Sequence, residues 1–259
     1  MEKKGQGSTL RSVERAIAVL KAFSEEEPEL GVTELSRRLR FSKSTVYRLL
    51  ASLQQEGVVD QDPQTDKYRL GIELVRLAGL VLKQVDVRQV ARPYLRSLAE
   101  ASEETVNLSV LTGSGKVINI DGISSPRIVR NVGWLGREMF PHCISSGKAL
   151  LAYLPPQRLE RILAKKLLSF TEKTIIDPVR LQEELERVRQ QGYAVAQEEL
   201  EVGLSAVAAP IWNHEGKVVA AVSVSGPSFR LSSEMPELAE LTKRAANEIS
   251  HQLGYVGEE

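Results

Sequence analysis

The sequence has little of the chemistry that disulfide-rich proteins, metalloproteins and membrane proteins require. Its 259 residues include one cysteine, Cys143, which excludes an intrachain disulfide framework and a cysteine-rich metal site. Three histidines without metal-ligand spacing add no metal site. No apolar run approaches the ~20 residues of a membrane span, and MEKKGQGSTL lacks the hydrophobic core of a signal peptide. We therefore expect a cytoplasmic protein with no membrane partner, no cofactor and no metal.

A net charge is also missing, because 34 Lys and Arg residues balance 34 Asp and Glu residues. The partners of the protein must therefore be inferred from local charge. Charged residues make up 26% of the chain and hydrophobic residues 42%, which is typical of a globular protein. The length suits one large domain or two ordinary domains.

The most informative local segment is 31–57, GVTELSRRLRFSKSTVYRLLASLQQEG. Apolar residues recur at steps of three and four in each half, which predicts two helices joined by a tight turn. Thr33 and Ser42 are the candidate N-caps of these helices. The predicted buried positions are Val32, Leu35, Leu39, Val46, Leu49, Leu50 and Leu53.

The charge of this segment suits DNA. Residues 35–55 include five basic side chains and no acidic one, and a surface without carboxylates suits a phosphate backbone. Short polar side chains early in a helix also suit base edges in the major groove. A helical hairpin with a solvated polar face fits the helix spacing equally well. The candidate groove-facing residues are Lys43, Ser44, Thr45, Tyr47 and Arg48.

Two short β segments follow this hairpin and favour the DNA-binding interpretation. Val58-Val59 and Lys67-Tyr68-Arg69-Leu70 flank the turn Asp62-Pro63-Gln64, which predicts a β-hairpin. A helix-turn-helix followed by such a hairpin is a winged helix. We expect Lys67 and Arg69 to lie near the DNA backbone or the minor groove.

Two further helices are predicted to flank the winged helix. The first covers 10–23 and packs beneath the helix-turn-helix, and the second covers 72–90 and links a domain at 1–71 to a domain at 91–259. The stripe of the linker helix fits a dimer seam or contact with its own domain equally well. The apolar positions of the two helices are Val13, Ile17 and Leu20, and Leu74, Leu77, Val81 and Val85.

The hydrophobic period changes to two after residue 105, which predicts strands. Together the elements predict the α+β class, with an antiparallel sheet of five or six strands covered by helices. The predicted strands lie at 106–110, 116–121, 205–212 and 218–225, with another around 128–132. The predicted helices cover 145–154, 157–167, 178–192 and 234–253.

Four serines in the second domain form a candidate site for a small polar ligand. Ser223 and Ser225 are two residues apart on a strand, so both hydroxyls face one side while the valines beside them face the other. Ser145 and Ser146 begin a helix, where free N–H groups and the helix dipole favour a carboxylate. The alternative is that these serines bond only to the local backbone.

Two other motifs raise the possibility of catalysis. Ser145 and Lys148 have the SxxK spacing of a serine acyl-enzyme, but no partner motif accompanies them. His142 and Cys143 could supply a base and a nucleophile, but adjacent side chains diverge. We predict no catalytic residue; the alternative is a hydrolase or transferase that uses Cys143 or Ser145 with a regulatory N-terminal domain. The acidic cluster is interpreted as a solvated loop: Glu198, Glu199 and Glu201.

In their order and spacing, short motifs along nearly the whole chain resemble the IclR family of bacterial transcriptional regulators. In the first half they are VERA at 13–16, the helix-turn-helix at 31–57 and KYRLG at 67–71. In the second half they are SGKALLA at 146–152, GY at 192–193, EE at 198–199, GL at 203–204 and VSVSGP at 222–227.

The resemblance implies a winged helix-turn-helix domain joined to a GAF-like effector domain, acting as a dimer or dimer of dimers on a palindromic operator. It implies a small organic acid as effector, bound near the SGKA helix start and the SxSGP strand. Members that bind glyoxylate-like acids commonly have an aspartate at the position of Ala196, and some relatives have a cysteine at that of Ala206. The implied pocket is less polar on that wall. The matching effector positions are Ser145, Ser146, Gly147, Ser223 and Ser225.

Overall fold

The computed structural model describes residues 10–24, 26–84, 86–132 and 134–256, except the side chains of 78–79 and 81–86. The chain divides into two compact units, 1–84 and 85–259, and the predicted linker at 72–90 spans that division. The boundaries at 71 and 90 stay a prediction. Within the described ranges, no helix is both long and apolar enough to cross a membrane.

The first unit is a winged helix, as predicted. β1 pairs antiparallel with β2, with Val59 opposite Leu70 and Gln61 opposite Tyr68. Leu30 adds a single β-bridge to Tyr68, so the segment before the second helix joins the wing. The elements are α1 (Arg11–Leu20), α2 (Val32–Leu39), α3 (Lys43–Gln55), β1 (Val59–Gln61), β2 (Tyr68–Leu70) and α4 (Glu73–Gln84).

A small apolar core holds α1, α2, α3 and the wing together. Between α2 and α3, Arg40 adopts a left-handed backbone with φ 57°, and the Ser36 hydroxyl donates to the Phe41 carbonyl at 2.6 Å. These two features close the tight turn that sets the angle of α3. The buried residues of this core are Val19, Ala22, Leu30, Leu35, Val46, Leu50, Val59 and Tyr68.

The predicted buried face of α1 was wrong at two of its three positions, and the third, Leu20, is half-buried against this core. Val13 is 55% exposed and Ile17 is 46% exposed, whereas Val19 and Ala22 are buried. The helix has two apolar stripes, and its packing against α2 and α3 buries the one that contains Val19. Periodicity alone cannot choose between two stripes on one helix.

The two predicted helix caps had different outcomes. Ser42 is the N-cap of α3, and its hydroxyl accepts from the backbone N–H of Thr45 at 3.2 Å. Thr33 is not the cap of α2, because helix α2 begins one residue earlier, after Gly31. The N–H of Gly31 donates to the Glu34 carboxylate at 2.7 Å, which takes the place of a side-chain cap.

The linker prediction falls partly on α4. Leu74 is half-buried and Leu77 is exposed within the first unit. The predicted positions Val81 and Val85 lie outside the described side chains.

The second unit contains the predicted antiparallel sheet flanked by helices, so the α+β, GAF-like class is confirmed. Six strands in the described ranges form one sheet in the order β5-β4-β3-β8-β7-β6. The strands are β3 (Thr105–Leu111), β4 (Val117–Ile123), β5 (Glu138–Met139), β6 (Ala194–Gln197), β7 (Leu204–Trp212) and β8 (Val218–Pro227). The helices are α5 (Asp86–Ser102), α6 (Ser145–Leu151), α7 (Pro156–Leu163), α8 (Pro178–Gln191) and α9 (Ser228–Gln252), and a 3₁₀ turn at Pro141–Cys143 precedes α6.

The sheet separates two apolar cores. Val222 and Val224 of β8 belong to the core shared with α5 and α9, whereas Ala221 belongs to the opposite core shared with α6 and α8. Because side chains alternate along a strand, Ser223 and Ser225 lie on the α6 side. The predicted alternation along β8 is therefore confirmed, and it directs two hydroxyls under α6.

One predicted strand of this unit was wrong, and two short strands were not predicted. The segment around 128–132 forms no strand, and Ile128 is 97% exposed. The edge strand β5 lies further along, at Glu138–Met139, and pairs with β4. Strand β6 was not predicted, because only four residues of it pair with β7.

Candidate functional site

The start of α3 is organised by three hydroxyl groups. The Ser42 hydroxyl lies 3.0 Å from the hydroxyl of Ser44 and 2.8 Å from that of Thr45. A cap of this kind satisfies N–H groups that a helix start leaves without intrahelical partners. The first turn of α3 is thus held in place by its own side chains.

The outer face of α3 is polar and cationic. Lys43, Tyr47 and Arg48 are exposed, while Val46 and Leu50 on the opposite face are buried. In the part of the chain that the structure describes, neither Lys43 nor Arg48 forms a salt bridge. Both cations are therefore available to a phosphate or to a base edge.

The wing carries two more of the predicted residues. The Asp62 carboxylate accepts from the backbone N–H of Gln64 at 2.7 Å and of Thr65 at 3.1 Å, which closes the turn. These bonds lower the pKa of Asp62. Arg69 is exposed, and the Lys67 ammonium lies 3.9 Å from the Glu34 carboxylate.

One basic residue of α2 bonds within the first unit. Arg38 donates to the Ala22 carbonyl at 2.7 Å and pairs with Glu27, so it ties α2 to the segment after α1. Thr33 is exposed on the first turn of α2. At least one of the five basic side chains in residues 35–55 therefore stabilises the first unit itself.

In the second unit a cavity lies between the sheet and α6. The space in it that is open to the centre of a water-sized sphere is about 50 Å³. Four of the five predicted effector residues line it. The polar lining comprises the side chain of Glu199, the amides of Asn107, Asn119 and Asn131 and the hydroxyls of Ser145, Ser146, Ser205, Ser223 and Ser225.

The opposite wall of the cavity is apolar. Ala196 of β6 lies directly across from Ala206 of β7, and both face the cavity. A ligand there would meet methyl groups on one side and amides and hydroxyls on the other. The remaining apolar lining comprises Trp134, Met139, Ile144, Leu200 and Leu204.

Part of the polar wall is already hydrogen-bonded. Asn131 donates to the Ser225 hydroxyl at 2.7 Å, and Ser109 donates to the Asn119 carbonyl at 2.7 Å. By contrast, the hydroxyls of Ser145, Ser146 and Ser223 make no hydrogen bond to any residue that the structure describes. These three hydroxyls are the ones available to a ligand. The amides were missed because isolated asparagines, two on strands and one in a loop, give no sequence signal.

Gly147 does not line the cavity. A Cβ built on it would lie 2.2 Å from the Pro141 carbonyl oxygen, far closer than real carbon and oxygen atoms approach. The glycine therefore lets α6 pack directly on the Pro141–Cys143 turn. Its contribution is to the position of Ser145 and Ser146 rather than to ligand contact.

A buried ion pair lies beside the cavity. The Lys148 ammonium donates to Glu199 Oε1 at 2.5 Å and to the Val195 carbonyl at 3.1 Å, and reaches Glu184 Oε1 at 3.4 Å. Lys148 is only 1% exposed. Glu199 was expected in a solvated loop, and that expectation was wrong, because it is 7% exposed and lines the cavity. The available signal was a lysine inside the small and apolar segment 146–152.

The residues of the catalytic alternative are unsuited to catalysis. Burial raises the pKa of the Cys143 thiol to about 12, and burial lowers the pKa of His142, whose Nε2 lies 2.9 Å from the Leu168 carbonyl. Lys148 is engaged by Glu199 and so is not a base for Ser145. Within the described ranges, no group of three His, Cys, Asp or Glu residues could hold a metal ion.

Both units match family models. The model of the IclR helix-turn-helix domain matches residues 12–63, and that of the bacterial transcriptional regulator IclR C-terminal domain matches residues 79–251. The chain belongs to the IclR family of bacterial transcriptional regulators. An IclR regulator has a DNA-binding helix-turn-helix and an effector-binding C-terminal domain, and the family is not enzymatic.

Curated relatives cover almost the whole chain. The HTH-type transcriptional regulator XynR of Escherichia coli strain K12 is 36% identical over 248 residues, which is 95% of this chain and 98% of XynR. KdgR of the same strain is 35% identical over 252 residues, which is 96% of this chain and 95% of KdgR. The family resemblance of the sequence is confirmed.

Solved structures of IclR proteins share the fold. An IclR transcriptional regulator from Alicyclobacillus acidocaldarius has a TM-score of 0.84 at 28% identity, covering 95% of this chain and 98% of its own. An IclR homologue from Microbacterium hydrocarbonoxydans, complexed with 4-hydroxybenzoate, has a TM-score of 0.84 at 28% identity, covering 93% of this chain and 98% of its own.

Proposed function

We propose that this IclR regulator binds a palindromic operator as a dimer or tetramer, and that a small organic acid in the cavity of the second unit controls that binding. The observation that carries the proposal is the cavity, where unbonded hydroxyls face an alanine wall. Such a lining suits a small molecule with one polar end and one apolar side. Binding to chromosomal DNA would place the protein in the cytoplasm.

The operator contacts are assigned to the exposed face of the winged helix. One recognition helix reads one half-site, so a palindrome requires two copies of α3 related by a two-fold axis. We assign Lys43, Ser44, Thr45, Tyr47 and Arg48 to the major groove. Thr33, Ser42, Lys67 and Arg69 are assigned to the phosphate backbone or the minor groove.

A second copy of the chain has an apolar surface available on α4. Leu77 and Leu80 are three residues apart on one face of α4, and both are exposed within the first unit. Exposed apolar side chains on one helix face are typical of a helix–helix interface. We propose this surface as the dimer seam that pairs the recognition helices. Whether the protein is a dimer or a tetramer follows from a measurement of mass in solution.

The effector is assigned to the cavity in a fixed direction. Its carboxylate would accept hydrogen bonds from Ser145, Ser146 and Ser223, with Ser225 behind them, and its apolar side would contact Ala196 and Ala206. α6 lacks a side-chain cap at its start, so its first N–H groups add further donors. A homologue was solved in complex with an organic acid, 4-hydroxybenzoate, which supports an acid as the effector.

A panel of organic acids tests this function in two steps. In a thermal-shift assay, an acid that binds the folded protein raises its melting temperature. The same acid should change the gel-shift titration of the operator, and Ser223→Ala should weaken the acid's effect while the apo protein still binds DNA. A panel without any stabilising acid, or an acid that leaves DNA binding unchanged, would overturn the proposal.

A further inference from the structure

One oxygen of the buried Glu199 carboxylate has no hydrogen-bond partner. Oε1 accepts from Lys148, but Oε2 is buried and makes no hydrogen bond to any described residue. Buried carboxylate oxygens are normally paired, because losing water without a replacement bond costs stability. Glu199 also lines the effector cavity, so a rotation of its carboxylate would bring the unpaired oxygen to a ligand that can supply the missing donor.

Lys148 cannot supply a second bond to Glu199. An ammonium group has three N–H donors, and those of Lys148 are used by Glu199 Oε1, the Val195 carbonyl and Glu184 Oε1. Glu184 is in turn paired with Arg187 at 2.5 Å. Burial raises the pKa of Glu199, and the Lys148 ammonium opposes that shift. With Glu199 ionised the four charges balance, and its free oxygen is an acceptor.

The charges around Oε2 restrict the group that can bond to it. A second carboxylate would be repelled by Glu199. An ammonium on Oε2 would lie about 5 Å from the Lys148 ammonium, where two positive charges repel each other. A hydroxyl brings a donor without a charge, and a hydrogen bond from a hydroxyl to a carboxylate is short and strong.

We propose that Glu199 is a specificity residue of the effector cavity and that the effector is a hydroxy acid whose hydroxyl donates to Glu199 Oε2. This inference rests on the proposed function, because it assigns the second polar group of the acid whose carboxylate meets the serines. The terminal torsion of a glutamate is soft, so a small rotation of the carboxylate presents Oε2 to the ligand. The alanine wall lies alongside the body of the acid.

Matched acids that differ in one group test the assignment. Lactate, pyruvate and propionate share a three-carbon skeleton but carry a hydroxyl, a ketone and neither group, and 4-hydroxybenzoate and benzoate form an aromatic pair. Isothermal titration of the full-length protein should give affinities about 10-fold or more higher for the hydroxy acid of at least one set. A titration with the amino acid alanine, which carries an ammonium where lactate carries its hydroxyl, tests a charged donor to Glu199.

Three variants separate the hydroxyl contact from the carboxylate contact. Glu199→Gln keeps an oxygen for Lys148 but places an N–H₂ donor where Oε2 lies, so the preference for the hydroxyl over the ketone should fall below about threefold. Lys148→Met with Glu199→Met removes both charges at nearly constant volume, so it guards against loss of folding. Ser223→Ala should lower the affinity for hydroxy acids and for deoxy acids by the same factor, so the ratio of the two affinities should stay unchanged.

The outcomes distinguish this inference from the function beneath it. If acids bind but wild type gives equal affinities for hydroxy and deoxy partners, or Glu199→Gln keeps the wild-type ratio, the role of Glu199 is overturned and the effector function stands. If the amino acid alanine binds more tightly than lactate, the group that meets Glu199 is an ammonium and not a hydroxyl, and the proposal is overturned. If no acid binds, both the effector class and this inference fall.

Discussion

The ammonium of Lys148 lies 2.5 Å from Oε1 of Glu199, 51 residues further along the chain, and both side chains are buried. The pair ties α6 to the segment that follows β6, so it holds two walls of the effector cavity together. A buried charge of this kind is costly unless its partner is present. This relationship makes the pair a sensitive point for stability as well as for ligand choice.

Lys148→Met should lower the free energy of unfolding by about 3–5 kcal/mol, because it leaves the Glu199 carboxylate buried without its cation. Urea unfolding followed by circular dichroism measures the change. The matched control is the double variant Lys148→Met/Glu199→Met, which should recover most of the loss. A single variant as stable as wild type would show that the pair contributes nothing to folding.

Gly147→Ala should destabilise the second unit by about 1–3 kcal/mol, because its Cβ would meet the Pro141 carbonyl oxygen at 2.2 Å and α6 would have to move. Thermal unfolding measures the loss, and effector affinity should fall with it as Ser145 and Ser146 shift. Gly113→Ala is the control, since a Cβ there meets nothing within 4 Å. Equal melting temperatures for the two variants would contradict the packing argument.

Arg48→Ala should weaken operator binding by about 1–3 kcal/mol if Arg48 makes a bidentate base contact, and should relax sequence preference at one position of each half-site. A gel-shift titration at constant salt gives the affinity, and single-base variants of the operator locate the position. Arg161→Ala, an exposed arginine of the second unit, should leave the affinity unchanged. Wild-type affinity in Arg48→Ala would remove Arg48 from the assigned contacts.

Cys143 should resist alkylation in the native protein at pH 8.5. Its pKa is raised from 9.0 to about 12, so the native thiol carries about 1000-fold less thiolate than an unfolded one, and only the thiolate reacts. Mass spectrometry after iodoacetamide treatment should find label only in urea. Fast labelling of the folded protein would contradict the buried neutral thiol and revive the nucleophile interpretation.

The raised pKa of Cys143 also predicts the direction in which the free energy of unfolding changes at high pH. A group whose pKa is raised on folding favours the native state below the unfolded pKa and loses that advantage as pH rises through the native pKa. The Cys143 contribution therefore decreases between about pH 9 and pH 12. Cys143→Ala should remove this part of the pH dependence.

Sequence reasoning succeeded where the determining interaction is local. Ser42 is followed by Thr45 within one helical turn, so its role as a cap follows from spacing alone. Ser223 and Ser225 share a face because strand side chains alternate, whatever the rest of the fold does. It failed for α1, where Val13 and Ile17 form as good a stripe as Val19 and Ala22, and only the packing of α2 and α3 decides which is buried.

The sequence by itself determined the winged helix, the α+β effector domain and the IclR family. Of the five effector positions that it predicted, four reach the cavity. Periodicity, caps and short motifs carry that information over a few residues. Only the tertiary structure decided that Lys148 meets Glu199, that Gly147 packs on Pro141 instead of lining the cavity, and that one oxygen of Glu199 is left unpaired. Those facts depend on distances between segments far apart in the chain, and no local pattern encodes them.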